Sequence, residues 1–280
     1  MCECPVSKFI NSEGINVPMS KDNGKIIATQ RFPSPNPQVK IKVIAYLSSG
    51  LKVKGMLAEP NYGQPQDGFL YLRGGIKSVG MVRPARIAQF ASEGFTVFAP
   101  FYRGKQGGEG NEDYGGADRA DAFSAFLLLQ ALPGIKRVHV FGFSRGGLMA
   151  LWTAIHFPET ATCVTWGGVS DMFLTYTERQ DLRRMLKRVI GGTPAKYPEK
   201  YYQRTPLFYL DSIKSPVLII HGVRDQNVSV KHAYRLENRL KSLHKKVECW
   251  YFETFPHYFP PKSNRNIVRD LTKWMKRQSQ

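Results

Sequence analysis

The stretch VHVFGFSRGGLMALW, residues 138 to 152, limits the fold of this chain more than any other. A β-forming run containing Val138, Val140 and Phe141 stops at Ser144, and helix formers begin directly after it. Gly142, Gly146 and Gly147 surround that serine. Glycine inside a regular element costs backbone entropy, so three of them here signal a backbone with no room for a Cβ. The pattern is G-x-S-x-G between a strand and a helix. A sharp turn of this kind holds the serine in a strained conformation and lifts its hydroxyl clear of a sheet. The helix that follows points its N-terminus at the same spot, where the Arg145 backbone N–H can stabilise a developing oxyanion.

On its own G-x-S-x-G is common by chance, so its context decides. From Arg73 onward, strand-like and helix-like runs alternate: DGFLYLRGG, PARIAQFASEGFTVFAP, ADRADAFSAFLLLQALPG, the strand 138–143 with a helix to about His156, TCVTWGG, SPVLIIHG, SVKHAYRLENRLKSL, KVECWYFE and NRNIVRDLTKWMKRQ. Alternation predicts an α/β fold with a mostly parallel central sheet and helices on both faces. Ahead of it, VKIKVIAYLSSGLKVKGMLAEP alternates apolar and polar residues around Ser-Ser-Gly and predicts an antiparallel hairpin at one edge. Residues 1–37 read as an N-terminal extension ending in FPSPNP, and residues 38–280 as one domain. Within it, residues 172–210 read as a helical, aromatic insertion and a lid.

In an open α/β sheet, sites gather at the carboxyl ends of strands. Ser144 is at such an end. So are Asp225, after PVLIIHG, and His257, after VECWYFE. Serine needs an imidazole to take its proton, and a carboxylate to fix the imidazole tautomer and stabilise the cation that forms. The order Ser144, Asp225, His257 suits this architecture. Asp171 also follows a strand and is the runner-up acid. His221 is read as bracing the Asp225 loop, His139 as a core residue, and His156, His232 and His244 as surface or capping residues.

The chain resembles the catalytic domain of the prolyl oligopeptidase family of α/β-hydrolases, from about residue 40 to residue 275. The resemblance rests on LYLRGG, FASEGFTVFAPFYRGKQGGEG, GGADRADAF, VFGFSRGGLMALW, SPVLIIHGVRDQNV and FPHYF. It implies an α/β-hydrolase fold, and that Ser144, Asp225 and His257 are nucleophile, acid and base. It also implies that Gly74, Gly75 and Ile76 line the oxyanion hole. There are two departures. Some 40 residues precede the domain, so none of the family's β-propeller is expected. And Arg73 stands where the family often has a tyrosine or histidine, either as a donor to the oxyanion or in a salt bridge within the loop.

The implied enzyme is a serine hydrolase cleaving an ester or a short peptide through an acyl-enzyme. A carboxylesterase with little or no peptidase activity is the alternative. Arg73, Phe173, Tyr176, Tyr197, Tyr201 and Tyr202 are candidate substrate contacts, with core packing as the other reading of the aromatic ones. The net charge of +18 argues for a different class, a non-catalytic basic binding protein on the same scaffold. Basic residues are nevertheless spread along the chain. In the densest cluster, residues 178–188, Leu182, Met185, Leu186 and Val189 recur at helical spacing. That cluster is either a solvated helix face or a funnel for anionic substrates. No specific nucleic acid and no membrane partner is expected, and a homo-oligomer is allowed. Cys163 and Cys249 read as core thiols, and Cys2 and Cys4 as a weak zinc signal, so no metal and no cofactor is expected. No apolar run is long enough to span a bilayer, and no secretory leader is legible. With the cysteine pattern this points to the cytoplasm.

Overall fold

The computed structural model describes residue 17, residues 19–62 and residues 67–278. Cys2 and Cys4 lie outside them. Among the described residues nine strands form one sheet: β1 (Ile26–Phe32), β2 (Val39–Ser48), β3 (Leu51–Pro60), β4 (Asp67–Leu72), β5 (Thr96–Pro100), β6 (Arg137–Phe143), β7 (Thr162–Trp166), β8 (Val217–Gly222) and β9 (Val247–Phe252). Their order is β1-β2-β3-β5-β4-β6-β7-β8-β9. The first three strands run antiparallel and β3 meets β5 antiparallel, while β5, β4 and everything beyond are parallel. The expected hairpin is β2–β3, with Ser48 opposite Leu51 and the turn at Ser49 and Gly50, both at positive φ. β1 corrects the reading of residues 1–37 as an extension alone. All seven of its residues are exposed, so it has no apolar alternation for the sequence to display.

Two apolar layers sandwich the sheet, as the period of two along each strand requires. Leu70, Leu72, Val138, Val140, Val217 and Ile219 face one layer, with α2 (Arg119–Gln130), α3 (Arg145–His156) and α7 (Lys231–Ser242). Phe69, Tyr71, Phe141, Leu218 and Ile220 face the other, with α1 (Pro84–Ala91) and α8 (Pro261–Gln278). Between β7 and β8 the 172–210 segment folds as α4 (Met172–Glu178), α5 (Arg183–Ile190), α6 (Pro198–Tyr202) and short 3-10 turns. The chain winds from β4 out to β5 and then back across to β6. This reversal leaves a crevice between the carboxyl ends of β4 and β6, where open α/β sheets place ligands. No helix among the described residues is long and apolar enough to cross a membrane.

His232 is buried rather than at the surface, its Nδ1 accepting from the Ser170 N–H at 3.3 Å. His156 stacks on Phe123 with ring centroids 4.3 Å apart. Burial lowers the pKa of His156, of His221 and, down to about 3, of His232, where His221 and Arg235 add to it. All three fold as the neutral base, whereas in the unfolded chain they titrate near about 6.5. The unfolded chain therefore binds more protons below that pH, so stability present above it is lost as pH falls. The melting temperature should drop from pH 7.5 to pH 5 in scans at constant ionic strength. A flat or rising trend would contradict the neutral burial of these rings.

Candidate active site

Ser144 sits between β6 and α3 with φ 56° and ψ −124°, a region that side-chain-bearing residues seldom occupy. Its N–H donates to the Trp166 carbonyl at 3.1 Å, and its own carbonyl accepts from Gly147 and Val169, each at 2.9 Å. The three glycines are accounted for by contact. A Cβ on Gly142 would overlap the Gly146 carbonyl, one on Gly146 would overlap the Leu72 carbonyl, and one on Gly147 would come within 2.6 Å of Gly168 Cα. Across the crevice, Gly74 approaches so closely that its Cβ would lie 2.7 Å from Ser144 Cβ.

The loops after β8 and β9 bring Asp225 and His257 together. Asp225 Oδ1 accepts from the N–H groups of Asn227 and Val228, at 2.8 and 2.9 Å, so the carboxylate is held in one orientation. Its Oδ2 lies 2.6 Å from His257 Nδ1. Both residues are buried. Gly167, at φ +52°, leaves them their space, since a Cβ there would stand 3.2 Å from Asp225 Oδ2 and from His257 Nδ1. His221 Nε2 bonds the Val228 carbonyl at 2.8 Å and braces the same loop. Asp171 is engaged elsewhere: it caps α4 through the N–H groups of Phe173 and Leu174 and pairs with Arg235 at 2.6 Å.

A cavity of about 580 Å³ is lined by Ser144 and His257, by Gly74, Gly75 and Ile76, and by Tyr114, Phe143, Trp166 and Tyr258. Its other walls come from α1, the start of α8 and the 172–210 segment. None of the six expected substrate contacts is in that lining, Tyr197 and Tyr202 included. Phe173, Tyr176 and Tyr201 turn toward one another, with centroids 5.7 Å apart for both Phe173–Tyr201 and Tyr176–Tyr201, and form the insertion's own small core. Instead Arg179, Leu182 and Met185 face the cavity.

Arg73 is outside the lining too. It is 1% exposed and takes the salt-bridge alternative. Its guanidinium donates to the Phe101, Gly74 and Val79 carbonyls and meets Glu112 at 2.9 Å. Glu112 also holds the fully buried Arg145 side chain at 2.6 Å, and Arg145 reaches Asp118 at 3.4 Å. Both guanidiniums lie over the Tyr102 ring, at 5.0 and 4.8 Å. Burial and the neighbouring Arg145 depress the Arg73 pKa, against Glu112. Burial also acts downward on Arg145, but Asp118 and Glu112 outweigh it and raise that pKa above the usual value. With its side chain drawn under the site, Arg145 contributes only backbone at the first turn of α3. Sequence reasoning missed Glu112, Asp118, Gly167 and Tyr114. The acids lie in an acidic, glycine-rich loop that reads as solvated. Among the described residues no group of three or more His, Cys, Asp or Glu side chains converges as a metal site would require. Cys163 is buried, which pushes its thiol up to about 12.

Residues 81–280 match the Prolyl oligopeptidase family. The chain is 66% identical over 254 residues to a Bacillus subtilis protein described as "Uncharacterized peptidase YtmA", covering 90% of this chain and 99% of that one. Among solved structures it resembles a Pyrococcus horikoshii acylaminoacyl peptidase, with TM-score 0.70 and 22% identity over 90% of this chain. It spans 41% of that peptidase's length. It also resembles Acetyl Xylan Esterase 1 from Thermoanaerobacterium sp., with TM-score 0.73 and 16% identity, over 98% of this chain and 94% of the esterase.

The buried charge cluster generates a stability prediction. Glu112→Gln leaves the Arg73 and Arg145 guanidiniums facing each other without their shared carboxylate, and should destabilise by about 3–5 kcal/mol in urea unfolding. Glu59→Gln, which breaks a partly exposed pair with Lys42, should cost about 0–1 kcal/mol. Equal, small effects would show that the cluster is not held by its charges.

Proposed function

This chain belongs to the prolyl oligopeptidase family and is a serine hydrolase, and on that premise we propose that Ser144, Asp225 and His257 are its catalytic triad. The observation that carries the reading is the 2.6 Å contact between Asp225 Oδ2 and His257 Nδ1, at a cavity also lined by the strained Ser144. Two backbone N–H groups orient the carboxylate, so Nδ1 of His257 carries the proton and Nε2 is left to accept one from the Ser144 hydroxyl. Attack on the substrate carbonyl forms the tetrahedral oxyanion. The N–H of Arg145 at the start of α3, and those of Gly75 and Ile76, are its proposed donors. His257 then returns its proton to the leaving group, and water repeats the cycle on the acyl-enzyme.

Esters are the favoured substrates over amides. The Arg73 guanidinium is occupied by Glu112 and three carbonyls, so the residue before Gly74 supplies no side-chain donor to the oxyanion. Amides need stronger oxyanion stabilisation and protonation of a poorer leaving group, and they suffer more from a hole made of backbone alone.

Ser144→Ala should lower kcat by about 10⁴–10⁶ and abolish fluorophosphonate labelling with the fold intact. Asp225→Asn should cost about 10⁴ because the imidazole tautomer is no longer held, and Asp171→Asn little. The reverse ranking would move the acid to the end of β7. Matched small-acyl ester and aminoacyl amide substrates should show a higher kcat/KM for the ester. A faster amide would make peptide cleavage the principal activity.

A further inference from the structure

Two arginines in the cavity wall have no counter-ion among the described residues. Arg83 and Arg86 stand at the start of α1 and line the cavity that holds Ser144 and His257, and among the described residues no aspartate or glutamate shares that lining. Arg179, also in the wall, is neutralised: Nε and Nη2 lie 2.9 and 2.6 Å from the two oxygens of Asp181, and Nη1 donates to the Asn227 carbonyl. Arg86 differs. Its half-buried guanidinium packs over Phe90 and Trp166, at 4.8 and 5.4 Å. Only Nη1 is engaged, donating to the side-chain amide oxygens of Gln89 and Asn264 at 2.9 and 2.6 Å. Neutral amides orient a guanidinium without cancelling its charge. The Nε and Nη2 donors have no partner among the described residues, and those two N–H groups form the edge that grips a carboxylate with two parallel bonds. Arg83 is exposed beside it and pairs with no carboxylate among the described residues. By contrast the buried Arg73, Arg103 and Arg145 are each met by an acid at 2.9 Å or less.

We propose that Arg83 and Arg86 form a subsite for a carboxylate on the substrate, so that the preferred substrates carry a negative charge close to the scissile bond. The proposal rests on the triad reading, because it places the charge relative to Ser144. It moves the source of anion preference away from residues 178–188. In that segment Arg183 is tied to the Tyr176 and Thr177 carbonyls, and Arg184, Lys187 and Arg188 are exposed and outside the cavity lining.

Two ester pairs that differ only in charge test it. p-Nitrophenyl hydrogen glutarate and its methyl ester put the charge on the acyl side. 4-Acetoxybenzoate and its methyl ester put it on the leaving-group side. After division by uncatalysed rates, kcat/KM for the acid should exceed that of the neutral partner by about tenfold or more in at least one pair at low salt. The ratio should shrink toward one as salt approaches about 0.5 M, since charges open to solvent are screened. Arg86→Gln and Arg83→Gln should each lower the ratio, and Arg86→Lys should keep part of it. Arg83→Gln changes an exposed residue and keeps the test readable if Arg86→Gln fails to fold. A ratio near one in both pairs, or one unchanged in both Gln variants, overturns the subsite. A second arm needs no turnover: calorimetric binding of the glutarate pair to Ser144→Ala. Tighter binding of the acid, lost in the Gln variants, supports the subsite, and equal binding overturns it. Failure of the wild type to hydrolyse any of these esters or to label with a fluorophosphonate would count against the triad reading, and the binding arm would still decide the subsite.

Discussion

The crowding of backbone around Gly142, Gly146 and Gly147 is the constraint on which the rest of the site depends. Each glycine lies where a Cβ would run into a carbonyl or a Cα of a neighbouring segment. That closeness lets β6 turn directly into α3 and forces Ser144 into its positive-φ conformation. Strain of this kind costs on the order of 1–3 kcal/mol and persists only where the surroundings over-determine it. Here they do: the bonds to Trp166, Gly147 and Val169 hold the turn from both sides. The contact between Gly146 and the Leu72 carbonyl also ties the serine to the end of β4. The loop that follows, Gly74 to Ile76, is thereby set against Ser144 without any side chain between them.

A second layer of positioning comes from charge. Arg73 and Arg145 bring two positive groups into the interior, and Glu112 and Asp118 bring two negative ones, so the cluster is neutral as a whole. A buried ion pair adds little net stability over an apolar replacement, yet losing one partner is costly. The effect is to fasten the loops 73–80 and 101–118 to the underside of α3. The same economy of charge makes Arg83 and Arg86 conspicuous, since they are the cavity arginines left without an acid among the described residues.

The scaffold itself leaves the substrate open. The chain overlays comparably on a peptidase and on an esterase, at TM-scores of 0.70 and 0.73, and a fold shared by both does not choose between them. The choice lies in the walls. The insertion spends Phe173, Tyr176 and Tyr201 on its own packing and presents Arg179, Leu182 and Met185.

Backbone requirements are local, and those the sequence determined by itself. Gly142 records a steric demand from Gly146, four positions on, while Gly146 and Gly147 answer to Leu72 and Gly168 in other segments, and the motif displays all three simply as glycines beside the serine. The alternating runs record which strands are buried on both faces. The chain order of serine, acid and histidine follows from the carboxyl ends of strands lying along one edge of the sheet. β1 escaped because exposed residues on both faces carry no pattern. Partners of charges and rings were decided only by the tertiary structure. Arg73 meets Glu112 across 39 positions and Arg86 meets Asn264 across 178, and no spacing rule links residues so far apart. Whether a guanidinium is buried and paired, as Arg73 is, or left facing a cavity, as Arg86 is, depends on which loops the sheet order brings together. An aromatic residue in the insertion likewise becomes core or cavity wall only once its helix has chosen a neighbour.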